Sequence, residues 1–231
     1  MELRGWNVID ADAGVLWREY HFTKGAKATT LVFRGADGLV VVSPACGLGA
    51  AEYDALREFG SVSALVSNNV LHHLGQGPWR AHFKDAVSYA PAGALGTLEK
   101  KTGGFGFRSL AELRLPKHVR CDDPPGFRTG DTIVSVGTKK GSVWFTSDLL
   151  TNITELPKPP LKWLFTLTGS APGLKLFRLG VPLLVKDKRA VHAWAIERVE
   201  KDPPAVIVPA HGPAVETPQL AELAKAQIER L

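Results

Sequence analysis

The chain has 231 residues, 45% of them hydrophobic and 22% charged, a composition that excludes disorder and suits a large buried core. Its 28 Lys and Arg against 23 Asp and Glu leave a net charge of +5, but the basic residues are scattered, so no nucleic-acid partner is expected. Two cysteines without a Cys-x-x-Cys spacing, no apolar leader after Met1 and no run near the ~18 apolar residues of a membrane span predict a cytoplasmic protein with no transmembrane segment.

Val15–Phe22, Thr29–Arg34 and Leu39–Ser43 read as strands, the last two joined by the turn residues Gly35 to Gly38. Ala51, Ala55, Leu56 and Phe59 recur at helical spacing, and Gly60 suits a left-handed cap. Ala64-Leu65-Val66 is short enough for a buried strand, and the polar loop after it carries Asn68, Asn69 and the adjacent His72 and His73. Pro78–Phe83 and Ala92–Lys101 read as helices on either side of a strand at Ala86–Ala90. Beyond a turn at Asp122–Gly126, Asp131–Val136 and Val143–Thr146 pair across Gly137–Gly141.

Residues 156–186 change character. They hold Lys158, Lys162, Lys175, Arg178 and Lys186 with no acid, interleaved with Trp163, Leu164, Phe165, Phe177, Leu183 and Leu184. Prolines 157, 159, 160, 172 and 182 prevent one long helix. The segment reads as an insertion, with a lid over a site or a homodimer contact ranked ahead of an acidic membrane surface. Val191, Trp194, Ala195 and Val199 then mark a helix capped by Asp187. Thr217 as N-cap and Pro218 at the first position open a last helix through Leu220, Leu223, Ala224 and Ile228.

Three strand-like runs each end in a potential metal ligand. Ala64–Val66 leads to His72 and His73, Val143–Ser147 to Asp148, and Ala205–Ala210 to His211. Adjacent strands assemble a site at a sheet edge in this way, so His73, Asp148 and His211 are expected to converge, with His72 or water completing the shell. Such an N/O set suits one divalent ion, zinc first, then iron or manganese. Asn68 and Asn69 are candidate substrate contacts or, more simply, the closure of an Asx-turn. No Gly-x-Ser-x-Gly elbow supports a serine hydrolase, and Cys46 is read as a structural thiol rather than a nucleophile.

In this order the motifs resemble the metallo-β-lactamase-fold superfamily, whose His-x-His-x-Asp-His motif places Asn68 and Val70 where its first two histidines stand. His72 falls at the motif's Asp, His73 at its last His, Asp148 at the bridging Asp and His211-Gly212 at the closing His. A Ser147-Asp148-Leu149-Leu150-Thr151-Asn152 strand end suggests a little-characterised branch, and Ser43 stands where the family usually has Asp. The resemblance implies an α+β, four-layer αββα sandwich, a single domain over residues 1–231 with the insertion at about 156–186. It implies a metal-dependent hydrolase with a mononuclear site, an unknown small-molecule substrate and weak or absent β-lactamase activity. The alternatives on the same fold are a small-molecule-binding pseudoenzyme and an iron-dependent oxidoreductase.

Overall fold

A computed structural model describes residues 2–156 and 158–231, so Pro157 of the proline set lies outside the described residues. Alternation builds the architecture: in the strand Ala26–Arg34, Leu31 and Phe33 point to one face and Val32 to the other, and all three are fully buried. A strand buried on both faces needs a layer on each side.

The first sheet has eight strands in chain order: β1 (Glu2–Leu3), β2 (Trp6–Asp10), β3 (Val15–Thr23), β4 (Ala26–Arg34), β5 (Leu39–Val42), β6 (Val62–Val66), β7 (Val87–Ala90) and β8 (Arg108–Ser109). It is antiparallel to β5 and parallel from β5 to β8. The parallel crossovers run through α1 (Ala50–Phe59), α2 (Gln76–His82) and α3 (Leu95–Thr102). The second sheet combines β9 (Val119–Asp122), β10 (Ile133–Thr138), β11 (Gly141–Phe145), β14 (Pro204–Val208) and β15 (Val215–Glu216) in the order β15-β14-β11-β10-β9, with β11 and β14 parallel. A separate hairpin, β12 (Leu150–Ile153) and β13 (Gly173–Leu176), encloses α4 (Leu161–Leu167); α5 (Val181–Leu184), α6 (Lys188–Lys201) and α7 (Leu220–Ile228) complete the chain.

Between the sheets, Leu31, Phe33, Val40, Val42, Ala64 and Val66 meet Val134, Val136, Val143, Phe145, Val206 and Val208. The outer face of the first sheet packs Leu16, Val32, Val41 and Leu65 on Tyr53, Leu56, Trp79 and Phe83 of the α1 and α2 region. The outer face of the second packs Ile133, Trp144 and Ile207 on Val191, Ala195, Val199, Leu220 and Ala224. The result is the expected αββα sandwich. No helix among the described residues is long and apolar enough to cross a membrane.

Local expectations differ from the structure at three helix ends. Gly60 closes α1 in extended backbone at φ 170° rather than as a left-handed cap, where an added Cβ would sit 3.2 Å from the Leu39 side chain. The second helix begins at Gln76, before Pro78. The last begins at Leu220, because Val215–Glu216 pairs with β14 and Pro218 falls in the turn that follows. Asp187 caps α6 as expected, its carboxylate accepting from Ala190 N at 3.1 Å.

Candidate metal centre

The parallel pairs β5/β6 and β11/β14 both terminate at one edge of the sandwich, where loops leaving strand ends form crevices. Ser43 follows β5, Asn68 and Asn69 follow β6, Ser147 and Asp148 follow β11, and Ala210 and His211 follow β14. Two of these exits are sharply bent: Ser43 and Ser147 adopt positive φ, 53° and 49°. That conformation costs a non-glycine residue about 1–2 kcal/mol, and it is tolerated where the surroundings fix it. After β14 the turn uses Gly212 at φ 99°, where a Cβ would fall 1.8 Å from the Asn152 carbonyl oxygen.

The exits bring His72, Asp148 and His211 together, with one ligating atom of each within 4.8 Å of the others. Asp148 Oδ1 lies 3.3 Å from His72 Nε2 and 3.1 Å from His211 Nε2. His72 and Asp148 are buried, and His211 is partly exposed beside the Phe22 ring at 5.9 Å. Each imidazole is also gripped from behind. His211 Nδ1 donates to the Lys27 carbonyl at 2.7 Å, while His72 Nδ1 meets the Ser43 hydroxyl at 2.9 Å. The Ser43 hydroxyl lies 3.2 Å from the Tyr20 hydroxyl, and its carbonyl accepts from Thr30 Oγ1 at 2.6 Å.

His73 is not part of this group, contrary to the expected trio of His73, Asp148 and His211. The cause is the loop geometry. Asn69 Oδ1 accepts from Leu71 N at 2.8 Å and His72 N at 3.3 Å, and this Asx-turn presents His72 to Asp148. His73 leaves its Nδ1 buried without a protein partner, and burial, with the Lys101 charge second, lowers its pKa. Asn68 and Asn69 are both fully buried, and their side chains bond within the site. Asn68 Nδ2 donates to Ser147 Oγ at 2.7 Å; Asn69 Nδ2 donates to Asp131 Oδ1 at 2.9 Å and to Asp148 Oδ2 at 2.8 Å.

Asp131 is the residue that sequence reasoning missed. Fully buried, it accepts from Asn69, from Ser147 Oγ at 2.6 Å and from Thr129 Oγ1. Burial first, and the charge of Asp148 second, push its pKa up to about 6 against these hydrogen bonds. Asp148 goes the other way: burial opposes its ionisation, but the two histidines outweigh it and hold the carboxyl well below its ordinary range. Burial also pulls His211 down, and Asp148 with the Lys27 carbonyl reverses this to a net rise.

The donor set fits a divalent ion. Lys27 offers only a carbonyl acceptor, so His211 Nδ1 carries the proton, and its Nε2 faces a carboxylate oxygen. Such a contact requires either a second proton on the ring or a cation shared with Asp148. Two ligands on one tetrahedral zinc at bonds near 2.0–2.1 Å stand about 3.3 Å apart. The 3.1 and 3.3 Å separations match that edge.

Comparison with solved structures identifies the fold. FIM-1 metallo-β-lactamase from Pseudomonas aeruginosa, in a mono-zinc form, is 16% identical with a TM-score of 0.59 over 97% of this chain and 94% of that one. DIM-1 metallo-β-lactamase is 13% identical at a TM-score of 0.60, over 100% and 99%. The Flv1 flavodiiron core from Synechocystis is 14% identical at 0.62, over 97% of this chain and 60% of that one. No protein-family model and no curated protein matches the sequence. The chain has the metallo-β-lactamase fold.

Proposed function

We propose that the protein is a metal-dependent hydrolase with a single-ion centre held by His72, Asp148 and His211, zinc being the first candidate. The observation that supports this reading most is the meeting of these three side chains from three separate strand ends, each braced by a partner that leaves its ligating atom facing the others. Three protein ligands with a fourth position open is the arrangement of catalytic rather than structural zinc. A structural neighbour solved in a mono-zinc form is consistent with one ion.

When bound, the ion supplies Lewis acidity toward a carbonyl or phosphoryl oxygen and toward water. The protein's part is orientation. Lys27 fixes the His211 tautomer, Asn69 aims Asp148, and Ser43 fixes the plane of His72. Apolar side chains stand at the rim: Phe22 lies against His211, and Leu71 and Leu74, 51% and 53% exposed, flank the histidine loop. A substrate with an apolar portion next to its reacting group suits that rim. Asn68 and Val70, placed where the resembled motif has histidines, leave a second ion few ligands, so β-lactam turnover is expected to be weak or absent.

Protein purified without chelator is expected to contain one divalent ion per chain by elemental analysis, and stripped protein to take up one equivalent on titration. No uptake, or uptake of two ions, would contradict the single-ion reading. Ser43→Ala keeps the backbone but removes the hydroxyl behind His72, and outer partners of this kind typically contribute 10–100-fold to metal affinity. Competition against a coloured chelator should therefore show a loss of about tenfold or more, with an unchanged circular-dichroism spectrum.

A further inference from the structure

α4 buries none of its residues. Leu161 is 51% exposed, Trp163 62%, Leu164 43% and Leu167 85%. Leu161, Leu164 and Leu167 recur every three residues along one strip, and Trp163 widens it beside Leu167. The helix is nevertheless fixed in place. Phe165 stacks on Phe177 with 6.1 Å between ring centroids, and Ser170 Oγ, bonded to Thr168, accepts from Leu179 N at 3.0 Å. Phe165 anchors the helix, so its larger apolar side stays turned to solvent.

Charge selects what can cover that side. Between Glu155 and Asp187 the ionised side chains are Lys158, Lys162, Lys175, Arg178 and Lys186, and Lys158, Lys162, Arg178 and Lys186 are exposed. A two-fold contact between copies sets a patch against itself, which would bring these cations onto one another. The ranking expected from sequence, with lid or homodimer ahead of membrane, therefore inverts: a helix that keeps its apolar strip outward inside a purely cationic segment complements an anionic surface.

We propose that α4 docks the protein on an anionic lipid surface. Trp163, Leu164 and Leu167 enter the headgroup boundary, and the surrounding Lys and Arg meet the lipid's negative charge. The helix is carried by the site-bearing edge. Its hairpin starts two residues after Asp148, Asn152 N donates to the His211 carbonyl at 2.8 Å, and Asn152 Nδ2 donates to the Pro213 carbonyl at 2.8 Å. Docking through α4 thus holds the histidine edge to the lipid surface, whether or not that edge binds a metal.

Vesicle flotation of the full chain tests this. The protein should float with phosphatidylcholine vesicles containing one-third phosphatidylserine and stay behind with phosphatidylcholine alone. The variant K158E/K162E/R178E should lose about a hundredfold or more in partitioning, at about tenfold or less per charge near the surface. W163A/L167D should lose a comparable amount while keeping the wild-type circular-dichroism spectrum and melting temperature, since neither side chain is buried. Absence of flotation, equal flotation on uncharged vesicles, or binding indifferent to these substitutions overturns the proposal. So does a concentration-dependent dimer in sedimentation that Leu167→Asp abolishes, which would assign the strip to a second copy.

Discussion

Asp148→Ala is expected to reduce metal affinity by at least about a hundredfold. Structural zinc sites draw roughly 10–16 kcal/mol from four ligands, about 3 kcal/mol each, and 1.4 kcal/mol is tenfold. Asp148 contributes the anionic member of the set and stands 3.1 and 3.3 Å from the two imidazole nitrogens. Its loss leaves two imidazoles whose outer grips on Ser43 and Lys27 are untouched, so the backbone should persist. The informative companion is the histidine pair. His72→Ala should match the loss seen on removing Asp148, whereas His73→Ala should stay within about threefold of wild type, a difference well below one ligand's share. Isothermal titration of the stripped proteins measures all three. Equal losses at His72 and His73 would mean that the loop rearranges on binding.

Asp131→Asn should remove a pH dependence of stability. In the folded chain Asp131 titrates at about 6, raised by burial and by Asp148, against about 3.9 for an unfolded aspartate. A carboxyl whose folded pKa is raised stabilises the native state through its protonated form. That contribution is complete below about pH 4 and is lost as pH rises through about 6. The stability of the wild type relative to Asp131→Asn should therefore fall by about 2–3 kcal/mol across this interval. The amide is sterically suited to the place: its oxygen can accept from Ser147 and Asn69, and its NH2 can face Thr129, whose hydroxyl also lies 3.5 Å from the Leu184 carbonyl. Asp131→Ala, by contrast, strands three buried donors and should be about 3–5 kcal/mol less stable than Asp131→Asn at either pH, since neither replacement titrates. Urea unfolding in chelator at about pH 4 and about pH 7.5, beyond both pKa values, separates the variants. A constant difference between wild type and Asn would show that Asp131 is ionised throughout.

The sandwich was legible because its strands are short apolar runs ending at turn residues, and because the order of Asp148 and His211 after such runs survives any error in helix boundaries. The choice between His72 and His73 was not. Adjacent residues carry the same ring, and which one turns inward depends on the Asn69 carbonyl capping the two amides at Leu71 and His72. Asp131 was hidden for a related reason. It precedes an apolar strand, as exposed aspartates commonly do, and only the folded chain supplies Thr129, Ser147 and Asn69 around it. Tyr20 belongs to an ordinary strand pattern, and its hydroxyl acquires meaning through Ser43, 23 residues away. The helix ends failed where a local cap competed with a distant strand: the pairing of Val215 with Ile207 takes the chain that would otherwise have opened α7 at Thr217.

The stitching of the β14 exit to the first sheet has a consequence for assembly. His211 Nδ1 reaches the Lys27 carbonyl across 184 positions, and Thr29 Oγ1 reaches the Gly212 carbonyl across 183. His72 and Asp148 are themselves 76 positions apart. A cation at their junction, as proposed above, would act as a clasp across three distant stretches of chain, closing loops whose entropy the unfolded polymer would otherwise keep. Such a clasp would not form on a ribosome-bound fragment that ends before His211, so on the proposed reading loading would follow emergence of β14 and its exit. Cation affinity and resistance to unfolding would then be one linked equilibrium: at a free cation concentration one hundred times the dissociation constant, the folded protein would gain about 2.7 kcal/mol over its stripped form.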